Sequence, residues 1–256
     1  QQKFTPTQDY NGNDDSNRWQ VMMGMRSLNF TPYGKGWGAA TVTPSYFNKF
    51  GAGDTRQTAS VINLAGEGVD NETDYNNSVK DWREFTGYTV KKYSPLAFLI
   101  KGAEDKDAYV SASRPDGSGD FQIPNAQDWV SMRYADVLLM VAELGGVPSK
   151  TAQAALDEVR ARAGLGSVPA TFENVMNERA LELAFEGHRY WDLLRQGIDK
   201  AADAIVATAG PVKNGGVDAT VSYNRAKIVA TKGLSQIPAN QIILSNGVLH
   251  QNPGWE

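Results

Sequence analysis

Four acids and three arginines lie in the stretch 178-ERALELAFEGHRYWDLLRQG-197. Two carboxylates can hydrolyse a glycosidic bond when they face each other across a cleft, about 5 to 9.5 Å apart. Glu178, Glu182 and Glu186 are instead spaced by four residues, which places them on one face of a single helix. Side chains on successive turns of one helix do not face each other. We therefore interpret these acids as structural rather than catalytic.

Each of these acids has a cation within reach along the helix. Arg179 is three residues from Glu182, and Arg189 is three residues from Glu186. Because an unpaired buried acid is costly, this spacing predicts that the acids and arginines of the helix pair with one another, as a charge ladder. Loss of Arg189 would then destabilise the fold by about 3 kcal/mol if the group is buried. Apolar residues cover most of the circumference, so we expect the helix to be largely buried. The predicted ladder consists of Glu178, Arg179, Glu182, Glu186, Arg189 and Asp192.

The sequence offers few ligands for a metal or a cofactor. It contains no cysteine and only two histidines, which excludes disulfides and thiolate zinc sites and disfavours a His-rich zinc site. The loop from Asp116 to Asp120 copies the alternating oxygen ligands of a calcium loop, but Phe121 stands where an EF-hand needs glycine. The sequence therefore predicts no cofactor and leaves calcium open without assigning it a site.

Composition restricts the class of partner. Twenty-five basic residues stand against 29 acidic ones, for a net charge of −4, so a nucleic-acid partner is disfavoured. No run approaches the roughly 20 apolar residues of a membrane-spanning helix.

The chain divides into two halves that differ in composition. Residues 1–129 are rich in Gly, Asn, Asp and Pro, with only short β-like pieces at 39–43, 59–65 and 87–93, and we interpret them as a loop-rich ligand-binding subdomain. Aromatic residues here lie among amide and carboxylate side chains, where each ring either fills a core or covers the C–H face of a sugar. The predicted ligand contacts are Trp37, Tyr33, Trp82 and Tyr75.

Residues 130–256 are predicted to form a helical scaffold with a C-terminal loop and tail. Apolar residues from Tyr134 to Ala142 and from Ala152 to Ala163 recur with helical spacing, and the connection at Gly145 is short. Two such helices form a nearly antiparallel hairpin of the tetratricopeptide kind. The predicted fold class is mainly α with loop-rich, small-β excursions, in which helical hairpins carry an irregular ligand-binding subdomain.

Several motifs, in order, resemble the C-terminal half of the SusD-like (RagB/SusD) family. They are RYADVLLMVAEL, LDEVRARAGL, ERALELAFEGHRYWDLLRQG, IPANQI and the terminal QNPGW, and upstream pieces such as GWGAATVTPSYFNKF are also similar. The resemblance implies a structural role for the charged helix and a non-enzymatic, cell-surface nutrient-binding lipoprotein of Bacteroidota.

The resemblance also implies partners and a location. A protein of this kind captures oligosaccharides at the extracellular face of the outer membrane and delivers them to a TonB-dependent, SusC-like transporter. Family members are longer and carry a lipidated N-terminal cysteine, so we expect this chain to be part of a longer protein, whose lipid anchor this sequence lacks.

Other functions remain compatible with the residues. A member of the same family could bind peptides or glycoproteins, a glycoside hydrolase could use Asp54 or Asp74, and a helical adaptor could bind only another protein.

Overall fold

The structure is a computed structural model that describes residues 22–26, 33–68, 83–94, 97–99, 109–111 and 130–255. The described residues of the first half contain three two-stranded sheets. Strands β1 (Met25–Arg26) and β2 (Lys35–Gly36) are parallel, whereas β3 (Val61–Asn63) and β4 (Tyr88–Val90) are antiparallel. Strands β5 (Ala97–Leu99) and β6 (Tyr109–Ser111) form the third pair.

The strands confirm two of the three β-like pieces predicted in the first half. Strand β3 lies within 59–65 and β4 within 87–93, and Ile62 pairs with Thr89. The piece at 39–43 forms no strand of its own, and Thr41 makes only an isolated bridge to Thr89. It nevertheless packs into the core, because Val42 is buried beside Val61 and Val90.

Two further short helices lie among the described residues of this half. Helix α1 (Pro44–Phe47) begins at Thr43, whose side-chain oxygen accepts a hydrogen bond from Tyr46 N at 3.2 Å, and proline occupies the first position, where no amide hydrogen is required. Helix α2 (Arg56–Ser60) leads directly into β3.

The predicted helical hairpin is present. Helix α3 (Tyr134–Glu143) and helix α4 (Ala152–Arg162) pack against each other through a small connecting hairpin, β7 (Gly146–Val147) and β8 (Lys150–Thr151). Gly146 has a φ of 106°, and a Cβ there would lie 3.0 Å from Ala152 N. Only glycine therefore allows so tight a return.

The main hydrophobic core lies between this hairpin and the next helix, α5 (Phe172–Glu182). Apolar side chains from α3 and α4 meet those of α5 with almost no exposure. This packing explains the helical spacing in the sequence, because residues three and four apart share the buried face. The core consists of Leu138, Leu139, Ala142, Ala155, Leu156, Val159, Val175, Met176 and Leu183.

The stretch 178–197 is not the single buried helix that its periodicity predicts. Helix α5 ends at Glu182 and helix α6 (Arg189–Leu194) begins after a six-residue break. Phe185 and Gly187 have φ values of 64° and 83°, which no α-helix can contain. The break turns Trp191 outward, so that 64% of its surface is exposed.

The remaining elements follow α6. The hairpin formed by β9 (Gly210–Asn214) and β10 (Val217–Val221) returns to the first half, where Lys213 and Phe85 exchange backbone hydrogen bonds of 2.9 Å. None of the helices in the described part of the chain is long and apolar enough to span a membrane. The elements are α7 (Ile198–Val206), β9 (Gly210–Asn214), β10 (Val217–Val221), α8 (Arg225–Ala230) and α9 (Ala239–Leu244).

One buried hydroxyl yields a prediction about stability. Thr89 on β4 is fully buried, and its Oγ1 has no hydrogen-bond partner among the described residues. Because desolvating an unpaired hydroxyl is costly, Thr89→Val should raise the free energy of unfolding by about 1 kcal/mol. Urea unfolding measures this change, and Thr41→Val, at the partly buried partner of the bridge, is the control. A less stable Thr89→Val protein would mean that the hydroxyl has a partner in solution.

Candidate functional site

A surface cavity of about 400 Å³ lies beside Trp37, one of the predicted ligand contacts. The indole is partly buried, and two arginines and one glutamate lie near it. The cavity is lined by Arg26, Trp37, Gly38, Ala39, Thr41, Arg83 and Glu84.

Backbone hydrogen bonds hold the wall that carries Trp37. Gly38 N donates to Gly24 O at 2.9 Å, and Ala39 N donates to Met22 O at 2.8 Å. In addition, Arg26 Nη1 donates to the carbonyl oxygen of Trp37 at 2.9 Å. The backbone that carries the indole is therefore held before any ligand arrives, which reduces the entropy lost on binding.

The opposite wall is held by the second half of the chain. Glu84 has a φ of 54°, an unfavourable value for a residue with a side chain, and its amide donates to Asn214 Oδ1 at 2.6 Å. Phe85 continues the contact through its backbone bonds to Lys213. Sequence spacing gives no signal for this wall, because 130 residues separate Glu84 from Asn214.

This arrangement suits a small polar ligand that has an apolar face. An indole ring can cover C–H groups, while guanidinium and carboxylate groups hydrogen-bond to hydroxyls. A metal site has no support here, because the described residues contain no group of three or more His, Cys, Asp or Glu that could hold an ion.

The other predicted ligand contacts do not join Trp37 in this cavity. Tyr33 is only 3% exposed, and its hydroxyl donates to Glu67 Oε2 at 2.5 Å. Lys91 Nζ lies 5.4 Å from the centre of the Tyr33 ring, so this tyrosine is engaged inside the loop-rich half. Trp82 and Tyr75 lie outside the described residues, as do Asp74 and the loop from Asp116 to Asp120.

A second cluster of charge lies on α5, where Glu178 and Glu182 are each 2% exposed. Their partners come mainly from other elements. Arg56 Nη1 lies 2.6 Å from Glu178 Oε1 and 3.1 Å from Glu182 Oε2, and Arg56 Nη2 lies 2.8 Å from Asp54 Oδ2. Arg160, on α4, adds a contact of 2.8 Å to Glu178. A cation from the loop-rich half is thus surrounded by three acids.

Glu182 and Glu186 share two further cations at the end of α5. Arg133 Nη1 lies 2.8 Å from Glu182 Oε1, and its Nε lies 2.7 Å from Glu186 Oε2. Lys92 pairs with Glu186, and Lys92 Nζ also donates to the carbonyl oxygen of Glu182 at 3.0 Å. Arg162 contacts Glu182 as well. Cations at the carboxyl end of a helix also interact favourably with its dipole.

The pairing within the helix differs from the predicted ladder. Arg179 does not pair with Glu182 but with Asp136 and Asp192, at 2.7 and 2.9 Å. Arg189 is partly buried, and among the described residues it has neither an ion pair nor a hydrogen bond. Burial lowers the pKa of Arg189, whereas the charge of Asp192 opposes that shift. The break after Glu182 explains why Arg189 does not pair with Glu186, because it removes the helical spacing between them.

Asp54, a candidate acid of the glycosidase hypothesis, belongs to this cluster. Burial alone would raise the pKa of Asp54, but hydrogen bonds from the Arg56 guanidinium and amide outweigh burial and hold it below the ordinary value. A general acid needs a raised pKa, so this environment does not favour that role.

The comparisons with known proteins agree with the fold. A solved laminarin binding SusD-like protein is 29% identical to this chain, covering 98% of it and 48% of that protein, with a TM-score of 0.70. Surface glycan-binding protein A from Bacteroides fluxus is 26% identical over 94% of this chain and 46% of its own, with a TM-score of 0.67. These similarities confirm the predicted fold class, a SusD-like arrangement of helices with small sheets.

The family is shown by sequence as well. The model of the SusD family matches residues 67–255, and this chain belongs to that family. SusD-like protein P2 from Formosa agariphila is 24% identical over 239 residues, which cover 87% of this chain and 41% of that relative. The chain therefore spans about half the length of the relatives that it matches.

The buried cluster yields a prediction about stability. Arg56→Met removes the cation shared by Asp54, Glu178 and Glu182, so we expect it to lower the free energy of unfolding by about 3 to 5 kcal/mol. The matched variant Arg189→Met removes a cation that has no ion pair in the described part of the chain, and we expect a change within about 1 kcal/mol. Chemical denaturation of both proteins tests this, and equal losses would contradict the assigned pairing.

The same cluster predicts how stability depends on pH. Burial favours a raised pKa for Glu186, but hydrogen bonds from Arg133 and Lys92 outweigh it, so its pKa in the folded protein lies below the ordinary 4.5. Its stabilisation is therefore complete above about pH 4.5 and is lost as the pH falls through the folded pKa. The unfolding midpoint should decrease as the pH is lowered below about 4.5. In Glu186→Gln this decrease with pH should be smaller. An unchanged slope in the variant would contradict the pKa shift.

Proposed function

We propose that this protein is a non-enzymatic glycan-binding protein of the cell surface, and that the cavity beside Trp37 is its ligand site. The observation that carries the proposal is the partly buried indole, held in a preformed cleft with Arg26, Arg83 and Glu84. Sugars are recognised in this way, by a ring that covers C–H surface and by polar groups around it. The laminarin binding SusD-like protein and the B. fluxus glycan-binding protein support a glycan as the ligand class.

The cavity supports binding more than hydrolysis. Hydrolysis of a glycosidic bond uses two carboxylates on opposite sides of the bond, about 5 to 9.5 Å apart. Glu84 is the one carboxylate in the described lining of the cavity. Glu178, Glu182 and Glu186 are engaged by arginine and lysine inside the fold, where they stabilise it.

We further propose that residues 1–129 present the ligand and that residues 130–256 hold that surface in place. The contact of Glu84 and Phe85 with the β9 hairpin supports these two roles. Family membership supports a location on the extracellular face of the outer membrane, and delivery of the captured oligosaccharide to a TonB-dependent, SusC-like transporter.

The first test of this function is binding of laminarin, measured by calorimetry. Trp37→Ala should weaken the affinity at least about tenfold, because the variant loses the ring face that covers the sugar, while the melting temperature stays the same. Tyr134→Ala is the control, since Tyr134 is an exposed aromatic on α3 that lies outside the cavity lining. Incubation of the wild-type protein with laminarin should release no reducing sugar.

Three results would redirect the proposal. Full affinity for laminarin in a folded Trp37→Ala protein would show that this cavity is not the ligand site. Release of sugar that Glu84→Gln abolishes would establish a hydrolase. Binding of peptides but not of glycans would favour the peptide-binding alternative, for which Arg83 and Glu84 provide charges of opposite sign.

A further inference from the structure

A second cleft, of about 320 Å³, lies in the helical half near the C-terminus. It shares no lining residue with the cavity beside Trp37. Its walls carry three aromatic rings, from α6, from the residues before α8 and from the tail. The lining consists of Tyr190, Ile205, Tyr223, Asn224, Lys227, Ile228, Thr231, Gly233, Leu234, Ser235 and Trp255.

The ring of Trp255 is fixed in one wall. Its indole Nε1 donates to Leu234 O at 2.9 Å, and Lys227 Nζ lies 3.9 Å from the centre of its ring. The tail reaches this position through Gly254, which has a φ of 76°, and a Cβ there would lie 2.9 Å from the backbone of Ala230. Close packing of the tail on α8 therefore depends on glycine, and it places the indole without the help of a ligand.

The ring of Tyr190 also belongs to the lining and is held by the fold. Its hydroxyl donates to the carbonyl oxygen of Gly233. Gly233 has a φ of 71°, and a Cβ there would lie 2.5 Å from Leu194 Cδ2. The two glycines thus bring the walls close to the helices, and both rings are preorganised.

The mouth of the cleft offers polar groups that the fold does not use. Tyr223 is 43% exposed, and among the described residues its hydroxyl has no hydrogen-bond partner. Asn224 Oδ1 accepts a hydrogen bond from Lys227 N at 3.0 Å, which leaves the amide NH₂ as a donor for a ligand. Ser235 contributes an exposed hydroxyl at the rim. Donors and acceptors therefore surround an aromatic interior.

The charge of the lining indicates a neutral ligand. Lys227 is the one charged residue in the described lining, and its ammonium group already lies over the Trp255 ring and donates to Gly254 O. An anionic ligand would have to compete for that cation. A neutral polyol needs only a ring face and hydrogen bonds, and the volume is at the lower end of the roughly 300 to 1,000 Å³ of small-molecule sites.

We propose that this cleft is a second carbohydrate-binding site, which takes a neutral hexose unit of an oligosaccharide against Tyr223 and Trp255. The site goes beyond the proposed function, because it lies on the scaffold rather than on the loop-rich half. A chain with two separate sites can hold one long glycan or two glycan ends at once, which raises its effective affinity for polymers.

The test uses the tryptophan indole N–H resonances of ¹⁵N-labelled protein, assigned with Trp255→Phe and Trp37→Phe. The probes are laminarihexaose, cellohexaose and maltohexaose. We expect the Trp255 resonance to shift saturably with at least one probe in the wild-type protein and equally in Trp37→Ala. Tyr223→Ala should weaken that shift about tenfold, because it removes the exposed ring, whereas Tyr134→Ala should leave it unchanged.

The two sites have separate readouts. A Trp255 resonance that does not move with any probe, or that moves identically in Tyr223→Ala, overturns the second site. This conclusion holds whether or not the Trp37 resonance shifts. A Trp37 resonance that stays still while Trp255 shifts contradicts the proposed primary site and leaves the second one supported.

Discussion

The burial of three carboxylates on α5 and in the break that follows it is the constraint on which the rest of the structure depends. Glu178, Glu182 and Glu186 lie inside the fold, where an unpaired charge would cost several kcal/mol. Their cations come from α2, from the residues after β4, from the start of α3 and from α4. Each pairing fixes one of these elements against α5. The loop-rich half is therefore anchored to the helical scaffold by buried charge as well as by its own small core.

The break after α5 serves both the charge cluster and the surface. It frees the carbonyl oxygen of Glu182, which accepts hydrogen bonds from Arg133 and Lys92, so the cations satisfy the end of the helix and its acids together. It also redirects α6, which turns Tyr190 toward Gly233, in the segment after α8. One interruption of a helix thus connects the buried network to the wall of a surface cleft.

The two clefts share a principle of construction. In each, a tryptophan lies on backbone that is held without a ligand, and the neighbouring glycine has a positive φ, 60° at Gly38 beside Trp37 and 76° at Gly254 beside Trp255. Rings that pack into the interior, such as Tyr33, are instead engaged by hydrogen bonds and cations of the fold. Partial exposure together with a fixed backbone distinguishes the proposed binding rings from the packed one.

The sequence by itself determined the helical hairpin and two short strands of the first half, because apolar periodicity and turn residues act locally. It also indicated that the acids of the stretch 178–197 would need cations if buried, because an unpaired buried charge is costly. Only the tertiary structure decided which cation meets which acid, that Arg189 lies outside the pairing, and that Trp37 but not Tyr33 borders a cavity. Arg56 and Glu178 are 122 residues apart, and no spacing rule reaches across that distance. The break at Phe185 likewise depends on contacts with other elements. Helical spacing in the sequence carries no information about such contacts.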